Sequence, residues 1–141
     1  MDHVVYLDAK ASEMENLLGG KKTMIIRGAA GRKMPYGKVD VGDVLYFINN
    51  NAEGLVKAKA NVKRVVNSEK MSKVESSKFP VGYQDKLLLT SAQFNRWAGK
   101  RYIVLIEVAD VEPLEPFPID KSDFGNMDDW LPVEDIESVK K

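Results

Sequence analysis

From Leu55 to Val66 the chain alternates: Val56, Ala58, Ala60 and Val62 are apolar, while Lys57, Lys59 and Lys63 are charged between them. A period of two is that of a half-exposed β-strand, so the four apolar residues are expected to face inward, and the small alanines among them suit a tightly curved sheet. Gly42-Asp43 is a turn signal, and the Val44-Leu45-Tyr46-Phe47-Ile48 run after it is apolar on both faces, as a strand covered on both sides would be. Asn49 to Gly54 joins the two most simply as an antiparallel hairpin with a longer loop.

The other elements follow from periodicity and caps. Val4 to Leu7 reads as a first strand leading into a helix capped by Asp8, with Ala11, Met14, Leu17 and Leu18 as its buried stripe and Gly19-Gly20 as its end. Thr23 to Arg27 reads as a strand with Thr23, Ile25 and Arg27 on one face and Met24 and Ile26 on the other. Ser72-Lys73-Val74-Glu75 and Thr90-Ser91-Ala92-Gln93 both match the capping box. The first predicts a helix from Lys73 to Lys78 that stops before Pro80. The second predicts a helix with Phe94, Trp97 and Ala98 on one side, ending at Gly99. Tyr102 to Val108 reads as a central strand. Beyond Val111, Pro113, Pro116, Pro118 and Pro132 are expected to break regularity, with a helical turn or two between Val133 and Val139. This order predicts an α+β fold, a small, curved, mostly antiparallel sheet with about three flanking helices.

Gly20 to Lys38 carries the chemistry, with six cations, four glycines and no carboxylate. Backbone N–H groups of a glycine-rich turn approach an anion closely, and Lys21, Lys22, Arg27, Arg32 and Lys33 supply charge beside them. Gly28-Ala29-Ala30-Gly31-Arg32-Lys33 is not the phosphate-loop motif, because its spacing and last residue differ from GxxxxGK[ST]. Tyr36 and Tyr46 offer rings on which a base could stack; the competing roles are loop anchor for Tyr36, core residue for Tyr46 and a solvated, flexible loop for the whole run.

With 141 residues, 44% hydrophobic and 30% charged, the chain suits one soluble domain with a real core. The absence of cysteine excludes disulfides, thiol nucleophiles and cysteine-ligated metal centres. His3 is the sole histidine, which disfavours a Ser-His-Asp triad. Asp128, Asp129, Glu134 and Asp135 lack EF-hand spacing, so no metal is expected, and no cofactor. The start of the chain lacks a signal peptide's basic and apolar regions, so a cytoplasmic location is the natural expectation and no membrane role is implied. Net charge is zero but unevenly spread: residues 112–141 hold nine carboxylates and three lysines, against 18 cations and 12 carboxylates before them. That asymmetry suggests a basic domain over 1–111 with an acidic, proline-containing tail over 112–141, and points to an anionic partner. Phe117, Phe124, Trp130 and Leu131 make the tail too apolar for pure disorder, so it is expected to dock on the same domain.

Gly20 to Arg27, Gly42-Asp43-Val44-Leu45 and the strand from Val56 to Val66 together resemble the ASCH domain (activating-signal-cointegrator homology), a branch of the PUA-like superfamily, over roughly residues 4–108. The family's signature resembles GxKxxExR; Gly20, Lys22 and Arg27 match it, and Ile25 stands at the glutamate. The resemblance implies a pseudo-barrel that binds RNA or a nucleobase in a cleft beside the motif. It also implies an alternative, since some bacterial members are amidohydrolases acting on an acylated cytidine amine, in which the motif lysine works with a threonine two residues before the arginine. Lys22 matches that lysine, Ile25 again occupies the other position, and Thr23 is the nearby hydroxyl that a rearranged site would need.

Three classes of function follow: an RNA-binding or modified-nucleoside-binding module with a basic cleft, an amidohydrolase, and a protein-interaction domain that keeps only the fold. The first two place Lys22 and Arg27 on one cleft, where like charge would lower the pKa of Lys22.

Overall fold

The computed structural model describes residues 1–125 and 128–141. Six strands, β1 (Asp2–Leu7), β2 (Met24–Ala29), β3 (Val44–Asn49), β4 (Leu55–Asn67), β5 (Tyr102–Pro118) and β6 (Trp130–Glu134), form one sheet in the order β2-β5-β4-β3-β1-β6. Only the β1–β3 pair is parallel. The sheet is curled into a half-barrel of the α+β pseudo-barrel type, with helices α1 (Glu13–Leu18), α2 (Lys73–Lys78), α3 (Gln84–Leu87) and α4 (Ser91–Trp97) against it. A 3₁₀ turn over Phe79–Tyr83 joins α2 to α3, so the helices make three bodies. Pro80 ends the α-helix there but fits the first turn of the tighter one.

β1, β2 and the first half of β5 are buried on both faces, which is why they read as continuous apolar runs, whereas β4 alternates between buried and exposed positions. Inside the curl, Val5, Ile25, Phe47, Ala60, Ile106 and Trp130 share one core. Met24, Ile26, Ile103 and Leu105 point the other way, onto Leu87, Leu89, Phe94 and Trp97 of the helical layer. At the opposite end Val4, Ile48, Val56, Leu131 and Ile136 form a third cluster.

Four local expectations change. The first helix begins at Glu13, because Ser12 sits at φ 53° and interrupts the backbone; Asp8 Oδ1 instead accepts from the Ala11 amide of the preceding turn. Val56 is not on the face of Ala58, because the β3–β4 register shifts there and turns Val56 outward with Ile48. The strand after Arg101 does not break at Val111. β5 continues to Pro118, and past Glu107 it pairs with β4 alone, so one side of the strand is an open edge, the setting in which prolines such as Pro113, Pro116 and Pro118 are tolerated. Asp110, at φ 56°, marks the bulge through which β5 turns. Pro132, too, lies inside a strand, on the sheet's other edge. β5 thus crosses the boundary at 111/112, and β6 adds the far edge strand on β1, while Ile136–Ser138 supply one 3₁₀ turn.

The N-terminal strand is pinned by a buried polar relay. Trp130 Nε1 donates to His3 Nδ1 at 3.1 Å, and His3 Nε2 donates to Asp43 Oδ2 at 2.9 Å. Burial pushes the Asp43 carboxyl upward, but hydrogen bonds from the Asp40 amide and from His3 outweigh it and hold its pKa below the usual Asp value. A lowered folded-state pKa means that this stabilisation is complete above the unfolded value and is lost as pH falls through the folded one. Replacing Asp43→Asn should therefore lower stability at neutral pH and flatten the acid limb of the curve, as read by urea unfolding at a series of pH values. An acid limb identical to that of the wild type would show that Asp43 is not one of the groups responsible.

Candidate functional site

The turn after α1 builds the first half of the site. Gly20 adopts φ +75°, the Lys21 amide bonds to Asn16 O at 3.0 Å and the Gly20 amide to Leu17 O at 3.2 Å, which is the Schellman closure of a helix. The Lys22 amide also reaches Asn16 O, so the chain doubles back beneath α1. Lys22 is only 2% exposed as a result. Its Nζ lies 3.1 Å from Glu13 Oε2 and donates to the Leu87 carbonyl. Glu13, 4% exposed, accepts from the Asp8 amide through Oε1 and faces Gln93 Nε2 at 3.5 Å. Gln93 is held in turn by its capping box with Thr90. Burial lowers the Lys22 pKa, Glu13 opposes that shift, and the charge of Arg27 adds a smaller push in the same direction as burial. Desolvation therefore leads where like charge alone was expected.

Arg27 builds the other half. The guanidinium, on β2 at one edge of the sheet, donates to Ile26 O at 2.8 Å and across the barrel to Tyr6 O of β1 at 2.7 Å. Its Nε stands 3.3 Å from Asp129 Oδ2, at ion-pair distance without hydrogen-bond geometry. It lies over the rings of Trp97 (5.3 Å to the centroid) and Trp130 (5.7 Å). Gly28 lets α4 come this close, since a Cβ there would meet Trp97 O at 3.0 Å.

A cleft of about 620 Å³ opens beside these residues, with Tyr6, Glu13, Arg27, Asn49, Gln93 and Trp97 in its wall. Asn49 Oδ1 is buried there without a hydrogen-bond partner. A separate groove of about 130 Å³ lies across Arg27 and Trp97, toward Lys33, Tyr36 and Tyr102. The sequence-selected residues are thus divided. Lys22 sits under the cleft behind Glu13; Arg27 stands between cleft and groove; Lys33 and Tyr36 line the groove. Arg32 covers the Tyr36 and Tyr102 rings at 6.0 and 5.6 Å, and the Tyr36 hydroxyl donates to Ser68 O, so this tyrosine is a loop anchor. Lys21 is exposed and Thr23 half-buried, and neither lines the cleft or the groove. Tyr46 packs in the third cluster, away from both.

Glu13, Gln93 and Asp129 are site residues that the sequence did not assign to the cleft. Glu13 stands four residues before Leu17, on the helix's apolar stripe, where a carboxylate calls for a buried partner. Gln93 was visible only as a cap. Asp129 was readable only as one of a group of acidic residues, because its place beside Arg27 arises from the approach of the sheet's two ends.

The cleft wall also includes Asp8, Asp120, Asp128 and Asp129 as well as Arg96, Lys121 and Lys141, so its charge is mixed rather than basic. Among the described residues, no group of three or more His, Cys, Asp or Glu is arranged to hold a metal ion, and no helix is long and apolar enough to cross a membrane.

No family model matches the chain, and no curated protein matches its sequence. Solved structures do match. The crystal structure of ASCH from Zymomonas mobilis superposes with a TM-score of 0.69 at 16% identity, over 99% of this chain and 96% of that one. A single-residue variant of the same protein gives 0.71 at 15% identity, over 97% of this chain and 93% of that one. The chain therefore has an ASCH-like fold.

The Lys22–Glu13 pair is buried, so removing one partner strands the other. Glu13→Ala should cost about 3–5 kcal/mol of stability, while the double replacement Glu13→Leu with Lys22→Met should recover most of it. Urea unfolding of both variants checks this; a double variant no more stable than Glu13→Ala would mean that the loss comes from Asp8 and Gln93 rather than from the stranded lysine.

Proposed function

We propose that the protein is a cytoplasmic nucleoside-recognition domain, whose cleft takes a modified nucleoside, free or at an exposed position in RNA. The observation that carries this reading is the Lys22–Glu13 pair, fully buried and held beneath a 620 Å³ cleft beside Arg27. Buried ion pairs contribute little net stability, so one held directly beneath a cleft, with its lysine pKa lowered by burial, supports this cleft as the candidate binding or reactive site. The cleft volume is that of a small-molecule site. Tyr6 and Trp97 supply aromatic surface, and the Gln93 and Asn49 amides carry the donor and acceptor groups that pair with base edges. Because Glu13 and Gln93 are fixed by Asp8 and Thr90, little ordering entropy is lost when a ligand binds.

Hydrolysis of an acylated nucleoside is the second reading, favoured by the lowered pKa of Lys22. Against it, the Lys22 ammonium is held by Glu13 and Leu87 O, and Ile25 at the motif position is wholly buried in the inner core, where an alkyl group neither carries a proton nor stabilises an oxyanion. Binding without turnover is the conclusion.

Titration of the protein with the four common ribonucleosides and an acylated cytidine, followed by amide chemical shifts, tests it. Shifts should concentrate at Glu13, Gln93 and Trp97, and the acylated cytidine should release no free acid. Trp97→Ala should weaken binding by about 1–3 kcal/mol if its ring carries the base, with circular dichroism confirming the fold. An unchanged spectrum across the panel would sink the binding reading; steady release of acid would replace it with the enzymatic one.

A further inference from the structure

The groove of about 130 Å³ differs in character from the cleft it adjoins. Of its lining residues among those described, Arg27, Lys33 and Arg96 are cations and Asp129 alone is a carboxylate. Arg27 is already bound to Tyr6 O and Ile26 O. Arg96 lies over the Trp97 ring at 4.3 Å, and its side chain is 57% exposed and 3.7 Å from Asp129, so its guanidinium remains open to solvent. Lys33 makes no ion pair among the described residues. The floor is rigid: Tyr36 packs edge-on to Tyr102 at 5.4 Å and is tied to Ser68. Arg27, Arg96, Trp97 and Asp129 border both cavities, so a ligand seated in the cleft has the groove within reach.

We infer that this groove receives the phosphate ester of the bound nucleoside, with Lys33 and Arg96 as its cationic contacts. The inference rests on the nucleoside reading of the cleft and deepens it. A volume this small suits a phosphate with its ester oxygens, not a second nucleoside, and cations beside a fixed aromatic floor supply charge without a specific base reader. The mixed-charge cleft offers a dianion no comparable setting, whereas the groove sets a cationic excess against one carboxylate.

Calorimetric titration at low salt tests it with cytidine, uridine, adenosine and guanosine, their 3′- and 5′-monophosphates, and dinucleoside monophosphates. The best phosphorylated ligand should bind about tenfold or more tightly than its nucleoside, the effect of one charge-assisted hydrogen bond. Lys33→Gln should abolish that gain, Lys33→Arg should keep it, and nucleoside affinity should be the same in all three proteins. A gain confined to dinucleotides supports the groove as an RNA contact, and a gain with monophosphates supports it as a site for free nucleotides. Equal affinities in the wild type, or a gain that survives Lys33→Gln, overturn the groove while leaving the cleft intact. Nucleotide binding with no detectable nucleoside binding keeps the groove and overturns the cleft; binding of neither overturns both.

Discussion

The Arg27 guanidinium ties together the two ends of the half-barrel. A six-stranded sheet in the order β2-β5-β4-β3-β1-β6 has two free edges, and its inner core is sealed only if those edges approach each other. Arg27 comes from the β2 edge, donates to the backbone of β1 at Tyr6, and rests against Asp129 and Trp130, at the start of β6. A lysine would supply one point of charge. The planar fork reaches two carbonyls and stacks on aromatic rings at once, which is why arginine and not merely a cation is needed here. Gly28, the next residue, admits α4 and sets Trp97 against the same guanidinium. Closure of the fold and construction of the cleft wall are therefore one event.

Gly20, Lys22 and Arg27 acquire separate physical roles within that frame. Gly20 supplies the left-handed turn that drives the chain under α1, Lys22 enters the interior by that turn, and Arg27 clasps the edges. Ile25 shares the face of Arg27 and is packed in the inner core, so the carboxylate beside the arginine comes instead from Asp129, more than a hundred residues later. The Zymomonas mobilis structures share the fold at 15–16% identity. A likeness that distant is one of backbone path, and what this cleft binds must be argued from its own side chains.

Much of the architecture was legible because local signals and tertiary demands agree. Both capping boxes form, Ser72 with Glu75 and Thr90 with Gln93, since each needs only its own four residues. The same holds for Gly19-Gly20 ending α1 and for Met24 and Ile26 facing away from Ile25. What stayed hidden depends on distant partners. Prolines after Val111 signal a break only if the strand must pair on both sides, and nothing nearby says that the pairing with β2 reaches only to Glu107. The outward turn of Val56 belongs to a register shift between two strands, and neither strand shows it alone. Glu13 is the instructive case, for its place on the apolar stripe was readable while its partner was not.

The chain's uneven charge looks different once folded. Ile119, Leu131, Val133 and Ile136 of the acidic segment are buried in the third cluster, so this segment is an integral wall of the barrel. One of its carboxylates, Asp129, stands beside Arg27 of the Gly20–Lys38 stretch and also approaches Arg96, a cation outside that stretch. Of the six cations there, Lys22 is sealed by Glu13, Arg27 is bound within the fold, and Arg32 lies on two tyrosine rings. Few remain to neutralise a phosphate backbone, and the salt dependence of nucleic-acid affinity scales with the number of phosphates neutralised. That stretch, so arranged, gains little from a long polyanion. That is a physical reason to set the proposed recognition of a single nucleoside above nonspecific coating of RNA.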